Sequence, residues 1–254
     1  MKSSGARMKR VAFLGLTFEP LEIGDAVRTV LALSTAGPFS FVVTPNVDHM
    51  VRLHRQRDDR RLWRIYESAA LRLCDSRILQ RLARLSRLEL SLVAGSDLTA
   101  QLLRSPNHLQ NVAVVGGDEN LMGGLSALYP SISWHHHAPP QGVLHNAKAQ
   151  MDVIEFVEDC GADLTFMAIG SPQSELICEQ LYQRNTARGV ALCVGASLEF
   201  LTGAKRRAPV LLQRAGLEWL FRLATEPRRL WRRYLVEGPA IFWIWWQWRL
   251  NSPR

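Results

Sequence analysis

Short apolar stretches alternate with longer amphipathic ones between residues 111 and 197, and this alternation restricts the fold more than any other feature of the chain. Four stretches have the length and apolar content of buried strands: NVAVVGG, SISWHH, DLTFMAIG and VALCVGAS. Three stretches between them have helical spacing: ENLMGGLSALYP, AKAQMDVIEFVEDCG and PQSELICEQLYQRNTARG. The pattern predicts an α/β fold in which a parallel sheet carries helices on both faces.

The N-terminal half follows the same alternation less regularly. RVAFLGLTF and FSFVVTPN are predicted to be buried strands, with a helix over LEIGDAVRTVLAL between them. From Arg52 to Leu90 the apolar spacing is mostly helical, and the chain from about Arg206 is predicted to be helical and basic. We therefore expect an α/β core over residues 1–205 and an appended C-terminal helical segment over residues 206–254.

Composition favours phosphate-bearing partners. The 254 residues are 47% hydrophobic, which is enough to bury a full core. The formal net charge of +8 suits nucleic acid, nucleotides or anionic lipid. The four cysteines are widely spaced without a C-x-x-C pair, so neither a zinc ribbon nor a disulfide framework is expected. VAFLGL is too short for the core of a signal peptide, and no stretch has the length of a membrane span.

Ligands of a parallel sheet bind at the carboxyl ends of its strands. Those ends carry Gly116-Gly117, GSP at residues 170–172 and VGAS at residues 194–197. The glycine pair suits close approach of a phosphate or sugar and equally suits a plain tight turn. Pro172 is predicted in the first turn of a helix, whose free amides either bind a ligand or form an ordinary strand-to-helix turn. Without a complete G-x-G-x-x-G motif, a nicotinamide enzyme is not indicated.

Asp75 and a histidine run are the titratable candidates. An apolar run precedes Asp75, so partial desolvation would raise its pKa toward that of a useful base, although a helix-capping role explains it nearly as well. His135 to His137 are predicted on a strand, where only alternate side chains share a face. Because no Asp, Glu or Cys accompanies them at ligand spacing, we expect no metal site.

The stretch GLEWLFRLATEPRRLWRRYL at residues 216–235 is rich in arginine and free of lysine. Its alternatives are a solvated helix face, a membrane-surface helix and a phosphate clamp. Pro227 divides it into two helical pieces, and the planar guanidinium group suits phosphate better than an ammonium group does. The following GPAIFWIWWQWRL is too short to cross a bilayer but rich in rings that settle at its interface.

The stretch from VGASLEFLTGAKRRAP through EPRRLWRRYL resembles the closing signature of the WecG/TagA/CpsF glycosyltransferases, glycosyltransferase family 26. The resemblance extends through GADLTFMAIGSPQSE, NVAVVGG, LVAGSDL and TPNVDHMVRL, from about Phe41 to Leu235. It implies a Rossmann-like enzyme, peripheral on the inner face of the bacterial cell membrane, that acts in cell-surface glycan, capsule or exopolysaccharide synthesis. Such an enzyme transfers a sugar from a UDP-sugar to a polyprenyl-diphosphate-linked sugar, with inversion and without a metal or other cofactor.

The resemblance also implies roles for individual residues. Asp75 is the expected general base, and Thr44 and Asn46 are expected acceptor-side groups. The arginines Arg222, Arg229 and Arg232 are the expected clamp for the diphosphate, and the appended segment is expected to contact an anionic membrane and close the site. The remaining residues expected to bind the UDP-sugar are Gly116, Gly117, Gly170, Ser171, Pro172, Gln173, Glu175 and Glu199.

Four residues depart from the family pattern: Ser76, Leu92, Ser174 and Glu199 stand where a glycine, an arginine, a glutamine and an aspartate are expected. These departures leave open an altered donor or acceptor, or a non-catalytic sugar-nucleotide-binding partner of a glycan-assembly complex. The basic, aromatic C-terminus would also suit a nucleic-acid-binding protein. The resemblance favours the enzyme, so no nucleic-acid partner is expected, and homo-oligomerisation is left open.

Overall fold

A computed structural model describes residues 10–35, 37–56, 60–105 and 109–251, so Arg57 to Asp59 of the first basic region and the two chain ends lie outside the described residues. Eight strands are described: β1 Val11–Phe13, β2 Leu16–Phe18, β3 Ser40–Val43, β4 Leu71–Arg72, β5 Asn111–Val115, β6 Ser133–His137, β7 Leu164–Met167 and β8 Val190–Cys193.

The helices up to the last strand are α1 Ile23–Thr35, α2 Val47–Arg55, α3 Arg60–Ser68, α4 Arg77–Leu85, α5 Gly95–Leu103, α6 Glu119–Leu128, α7 Ala147–Cys160 and α8 Gln173–Arg184, with a 3-10 turn at Val143–His145. Those after it are α9 Ser197–Leu201, α10 Val210–Ala215, α11 Glu218–Thr225, α12 Pro227–Trp231 and α13 Ala240–Asn251, with a π-helical turn at Arg232–Glu237.

Six strands form one parallel sheet in the order β4-β3-β8-β7-β5-β6, which confirms the predicted α/β class. Strand residues alternate between two buried clusters. Val43, Cys193 and Met167 face one of them, and Val42 and Leu192 face the other. Helices α2, α3, α4, α7 and α8 cover the first cluster, and α1, α5, α6 and α9 cover the second. Both faces of the sheet are therefore buried, as its nearly continuous apolar strands require.

RVAFLGLTF is two strands rather than the single strand that the sequence predicts. Leu14 and Gly15 have φ angles of 52° and 79°, the left-handed conformation at both central positions of a tight hairpin turn. The chain therefore reverses there, and β1 pairs with β2 antiparallel in a sheet of their own. Apolar content alone did not reveal this turn, because leucine rarely adopts such a φ angle.

A buried ion pair joins this hairpin to the main sheet. Arg72, on the two-residue edge strand β4, binds Glu19 at 2.5 Å, and their side chains are 4% and 0% exposed. The Arg72 guanidinium also donates to the carbonyl oxygens of Thr17, Glu67 and Ala69. These bonds satisfy the buried charge, which would otherwise be costly to hold away from water. β4 was not predicted from the sequence, because it lies within a stretch of mostly helical spacing.

The C-terminal helix α13 packs against the first cluster with one face. Ile241 is 1% exposed, and Ile244, Trp245 and Trp248 lie against the same cluster. Trp245 Nε1 donates to Ser86 Oγ at 2.8 Å, and Trp248 meets Phe13 edge to face at 5.3 Å between ring centroids. The spacing i, i+3, i+4, i+7 gives one helical face. Within the described residues, no helix is both long and apolar enough to cross a membrane.

This packing predicts unequal effects for two neighbouring tryptophans. Trp245→Ala removes a packed ring and a hydrogen bond, and should lower the free energy of unfolding by about 1–3 kcal/mol. Trp246 is 51% exposed, so Trp246→Ala should change it by less than about 0.5 kcal/mol. Thermal or urea unfolding of the two variants measures this. Equal losses would show that α13 does not pack as described.

Candidate active site

A cleft of about 780 Å³ lies between the carboxyl edge of the sheet and the C-terminal helices. The residues that follow four adjacent strands line its floor: Thr44 after β3, Asp75 after β4, Ala168 to Ser171 after β7 and Val194 to Ser197 after β8. Helix α2 leaves β3 on one face of the sheet and α9 leaves β8 on the other. The crevice between two such crossovers is the usual ligand site of an open parallel sheet.

The opposite wall comes from the chain after residue 205. Trp219 and Arg222 of α11, Arg229 of α12, Arg233 of the π-helical turn and Phe242 of α13 all line the cleft. Arg81 Nη2 donates to the carbonyl oxygen of Ala215 at 3.0 Å, which links α4 to the end of α10. The C-terminal segment therefore completes the cleft, and the sheet alone forms only its floor.

Asp75 lies at the base of the cleft, partly buried. Its backbone N–H donates to the carbonyl oxygen of Pro45 at 3.0 Å, which fixes the loop after β4 to the loop after β3. Burial raises the pKa of Asp75 from 3.8 to about 7, and the neighbouring Glu218 carboxylate adds to this rise, while a hydrogen bond from the Gly95 backbone and the Arg222 guanidinium lower it. A carboxyl group with a pKa near neutrality can act as a general base at physiological pH.

Gly95 leaves the space in which three polar side chains converge. A Cβ atom on Gly95 would lie 3.3 Å from Thr44 Oγ1, 3.4 Å from Ser197 Oγ and 3.5 Å from Asp75 Oδ2. Gly95 is the first residue of α5, and its N-cap Ala94 supplies no side-chain hydrogen bond. The N-terminal amide of α5 is therefore free to bind the Asp75 carboxylate. Gly95 and Ser197 were not predicted as site residues, although both lie in motifs that carried the resemblance.

Thr44 and Asn46 hold the start of α2. Thr44 Oγ1 donates to the carbonyl oxygen of Cys193 at 3.2 Å, across the adjacent strands β3 and β8. Asn46 Oδ1 caps α2 by accepting from the backbone N–H groups of Asp48 and His49. Both side chains line the cleft. Their bonds to the backbone fix their positions before a ligand enters.

A second polar group surrounds Glu175 on the floor. Glu175 is 1% exposed, and burial raises its pKa from 4.5 to about 7. Tyr66 donates to its Oε1 over 3.5 Å, and Ser171 also bonds to it. Ser171 Oγ in turn accepts from Arg52 Nη1 at 2.8 Å. Arg52 was not predicted as a site residue, because only the folded chain brings α2 to the loop after β7.

Unsatisfied polar atoms concentrate at this cleft. Among the described residues, six buried side-chain polar atoms lack a hydrogen-bond partner, and four of them belong to residues that line it. These four atoms are His49 Nδ1, Glu175 Oε2, Arg207 Nε and Arg233 Nε. Native proteins rarely leave buried polar groups unpaired unless a ligand or water completes them. The concentration indicates that the cleft binds a polar ligand.

Most basic side chains around the cleft are already held by carboxylates. Lys205 binds Glu199 at 2.6 Å, and Arg207 binds Asp97 at 2.6 Å. Arg229 binds Glu226 at 2.6 Å with its side chain 55% exposed. Arg222 differs, because within the described chain no carboxylate lies within 4.0 Å of its guanidinium group, which instead stands 5.4 Å over the Phe200 ring. Arg222 is therefore the arginine of this wall most available to an anion.

The remaining predicted residues lie at the edge of the site or outside it. Gly170, Ser171, Glu175 and Glu199 line the cleft, whereas among the described residues Gly116, Gly117, Pro172, Gln173 and Arg232 lie outside the lining. A Cβ atom on Gly116 would come 3.1 Å from the carbonyl carbon of Ala168, so this glycine lets β5 pack against the loop after β7. Arg232 is 75% exposed and binds Glu237 at 3.2 Å.

A family model described as the glycosyl transferase WecG/TagA/CpsF family matches residues 11–254. The chain belongs to the WecG/TagA/CpsF glycosyltransferase family. The match covers the sheet, the cleft and the C-terminal helices, and it extends beyond the stretch from Phe41 to Leu235 on which the resemblance rested. It confirms the resemblance and the class of transferase, for which the family implies a nucleotide-sugar donor and a lipid-linked acceptor.

Of the four departures from the family pattern, Ser76, Leu92 and Ser174 lie at or near the floor of the cleft, and Glu199, which binds Lys205, lies at its rim. Ser76 caps α4 by accepting from the Leu79 backbone N–H at 3.3 Å. Leu92 lines the cleft and pairs with Cys74 in an isolated parallel bridge. Ser174 is 1% exposed and bonds to the Gly170 carbonyl oxygen. Each departure therefore has a structural partner, and only Leu92 replaces an expected charged side chain with an apolar one at the cleft.

The raised pKa of Glu175 predicts how stability depends on pH. Between pH 4.5 and about 7 the folded protein retains a proton on Glu175 that the unfolded chain releases, so this group's contribution to stability falls as pH rises through that window. Glu175→Gln should reduce the difference in melting temperature between pH 5 and pH 8. Glu179→Gln, one turn further along α8, is the matched control and should leave that difference unchanged. Identical pH profiles for both variants would contradict the described burial.

Proposed function

We propose that the protein is an inverting glycosyltransferase that moves a sugar from a UDP-sugar to a polyprenyl-diphosphate-linked sugar in bacterial exopolysaccharide, capsule or cell-surface glycan synthesis. The observation that carries the proposal is the pairing, in one cleft, of a carboxyl group with a pKa of about 7 and an arginine without a carboxylate partner among the described residues. The first suits a general base, and the second suits an anionic leaving group.

The proposed reaction is a single displacement. Ionised Asp75 takes the proton from the acceptor hydroxyl as its oxygen attacks the anomeric carbon of the donor sugar. The bond from that carbon to the diphosphate oxygen breaks, and UDP leaves with the bonding electrons. The configuration at the anomeric carbon is inverted because attack and departure occur on opposite faces.

Arginine side chains supply the electrostatic part of this mechanism. The leaving diphosphate gains negative charge in the transition state, and guanidinium groups fixed in a partly buried cleft stabilise that charge. Arg222, which stands over the Phe200 ring, has no carboxylate partner among the described residues and would bind these phosphates directly. Arg229 would reach the same phosphates by exchanging its bond to Glu226. The proposed reaction uses no metal or other cofactor, so the proposed roles belong to side chains alone.

The donor sugar is proposed to be a hexose, an N-acetylhexosamine or the matching uronic acid. Gly170 and Ser171 after β7 line the cleft together with Glu175, whose Oε2 has no hydrogen-bond partner among the described residues, and these groups can bind sugar hydroxyl or amide groups. Glu199 is engaged by Lys205, so it acts by holding that ammonium group at the rim.

A non-catalytic sugar-nucleotide-binding partner of a glycan-assembly complex is the second candidate. Leu92 favours it, because an apolar side chain occupies the floor where the family pattern has an arginine. Clear UDP binding without transfer from any of a panel of labelled UDP-sugars would support this candidate over the enzyme.

We further propose that the C-terminal segment rests on the anionic inner face of the membrane. The surface of α13 that does not pack against the core exposes Phe242, Trp243, Trp246 and Leu250, which are 54%, 62%, 51% and 69% exposed. Leu235 and Val236 of the π-helical turn add to this apolar face and are 54% and 56% exposed. Aromatic side chains beside arginines are typical of helices that lie in the headgroup region.

The proposed base predicts a pH-dependent rate. The value of kcat/KM for transfer should fall about tenfold per pH unit below pH 7 and level off above it, because only ionised Asp75 accepts the proton. Asp75→Asn should lower kcat by about a hundredfold or more while UDP still binds. A radiolabelled lipid-product assay between pH 5.5 and 8.5 measures both effects. Retained turnover in Asp75→Asn would remove Asp75 from the mechanism.

The proposed clamp predicts a graded loss of UDP affinity. Arg222→Ala should raise the Kd for UDP about tenfold or more, because a charge-assisted bond to phosphate is lost. Arg229→Ala should raise it less, since this side chain must first leave Glu226. Arg228→Ala, an exposed arginine of the same helix outside the cleft, is the control. Isothermal titration measures the three values, and equal affinities throughout would rule out the clamp.

The exposed face predicts selective loss of membrane binding. The double variant Trp243→Ser, Trp246→Ser should bind anionic liposomes at least about tenfold more weakly, because it removes two exposed rings from the apolar face. Deleting the whole of α13 would instead remove Ile241 and Trp245 from the core, so substitution is the cleaner test. Unfolding and UDP binding should be unchanged. Full liposome binding by the variant would exclude this face as the contact.

A further inference from the structure

Four arginines and two carboxylates lie between α2 and the π-helical turn. Arg52 and Arg233 both bind Asp48 Oδ2, at 2.7 and 3.3 Å. Arg55 and Arg232 both bind Glu237 Oε1, at 3.4 and 3.2 Å. Each carboxylate therefore neutralises only one of two guanidinium groups, and each set keeps one positive charge. Of the four arginines, the structure places Arg52 and Arg233 on the lining of the cleft.

Two buried polar atoms in or next to the group formed by Asp48, Arg52 and Arg233 indicate that a ligand completes its hydrogen bonds. Within the described part of the chain, the buried atoms Arg233 Nε and His49 Nδ1 have no hydrogen-bond partner. His49 lines the cleft and is 7% exposed. Burial, with Arg52 and Arg233 nearby, lowers the pKa of His49 to about 3, so the imidazole is neutral at physiological pH. Two partly buried guanidinium groups and a neutral imidazole supply hydrogen-bonding groups for an anion.

The charged residues around Asp48 differ from those around Asp75. The groups that shift the pKa of Asp75 are Gly95, Glu218, Arg222 and Asp97. Those that shift His49 are Arg52 and Arg233, and Arg52 also acts on Glu175. Arg52 and Arg233 also share the Asp48 carboxylate, whereas Arg222 stands over the Phe200 ring, so the cleft has two cationic positions, one beside Asp75 and one beside Asp48. A reaction between two diphosphate-bearing substrates needs two such positions.

Apolar side chains lie next to the cationic position beside Asp48, and they indicate which substrate binds there. Leu235, Pro239 and Phe242 line the cleft and follow Arg233 in the chain. Leu235 and Phe242 also belong to the exposed apolar face, at 54% exposure each. An apolar chain leaving the second cationic position can follow these apolar side chains toward the exposed face of α13. A diphosphate with a long apolar tail matches this arrangement, whereas the uridine of a donor does not.

We infer that Arg52 and Arg233 bind the diphosphate of the lipid-linked acceptor, which takes the place of the Asp48 carboxylate between them. The inference rests on the proposed function and names the acceptor subsite within it. Asp48 holds the two guanidinium groups in place before the acceptor enters, and His49 Nδ1 completes the site. The acceptor sugar then extends from this position toward Asp75 on the floor.

The test uses the full chain and farnesyl diphosphate, a short probe with the same head and an apolar tail. Arg52→Gln and Arg233→Gln should each raise its Kd at least about tenfold, because each removes a charge-assisted contact. Arg55→Gln, one turn along α2 and outside the cleft lining, is the charge-matched control and should change the Kd by less than about twofold. Asp48→Asn should lower the Kd, because it weakens the competing carboxylate. Titration with UDP should give the same Kd for wild type, Arg52→Gln and Arg233→Gln.

Three outcomes would overturn the inference. Farnesyl diphosphate could bind the two variants as tightly as wild type, or Arg55→Gln could weaken it equally. UDP affinity could also fall with farnesyl diphosphate affinity, which would assign the pair to the donor phosphates. Failure of the proposed function is a different result: the probe would depend on Arg52 and Arg233 while no UDP-sugar gives a lipid product. If Arg52→Gln does not fold, the Kd values of Arg233→Gln and Asp48→Asn for farnesyl diphosphate still test the inference.

Discussion

Parallel pairing of β4, β3, β8 and β7 brings the residues after each strand to one edge, and the geometry of the cleft depends on it. Val43 pairs with both Arg72 and Cys193, and Cys193 pairs with Met167. In this register Thr44, Asp75, the loop from Ala168 and the loop from Val194 all begin near one level. A shift of one residue would turn each strand's side chains to the opposite face. The register thus positions the floor before any ligand or C-terminal helix contributes.

Most arginines of the cleft are paired with carboxylates, and the reason is the cost of placing several positive charges close together. Under the proposed function, several arginines lie near one another to bind diphosphates, yet unpaired guanidinium groups repel one another and lose hydration. The structure resolves this with shared or exchangeable carboxylates: Asp48 between Arg52 and Arg233, and Glu226 beside Arg229. Such partners fix the guanidinium groups in place at little cost, and a phosphate with more negative charge can displace them. Arg222 is positioned differently, over the Phe200 ring.

Local patterns predicted the sheet because the strands and helices between Asn111 and Ser197 have clear apolar periodicity and are flanked by glycine or proline. They did not predict β4, which is two residues long and depends on the pairing of its Arg72 with Glu19. Family resemblance placed Asp75, Thr44, Asn46 and Arg222 at the cleft, as the structure does. The sequence offered Arg233 only as one arginine of the possible clamp at residues 216–235. It did not indicate that Arg233 joins Arg52, because their common partner Asp48 meets residue 233 only when the C-terminal segment folds back across α2. Contacts between such distant positions leave no spacing signal in the sequence.

The central claim is that a sugar nucleotide binds in the cleft with its diphosphate at Arg222 and its sugar toward Asp75. The most direct measurement is a crystal structure of the protein with UDP. Our account predicts phosphate oxygens within about 3.5 Å of the Arg222 guanidinium group, and an open space between the β-phosphate and Asp75 that a sugar ring can fill. UDP bound instead at the end of β5, on Gly116 and Gly117, would contradict the account.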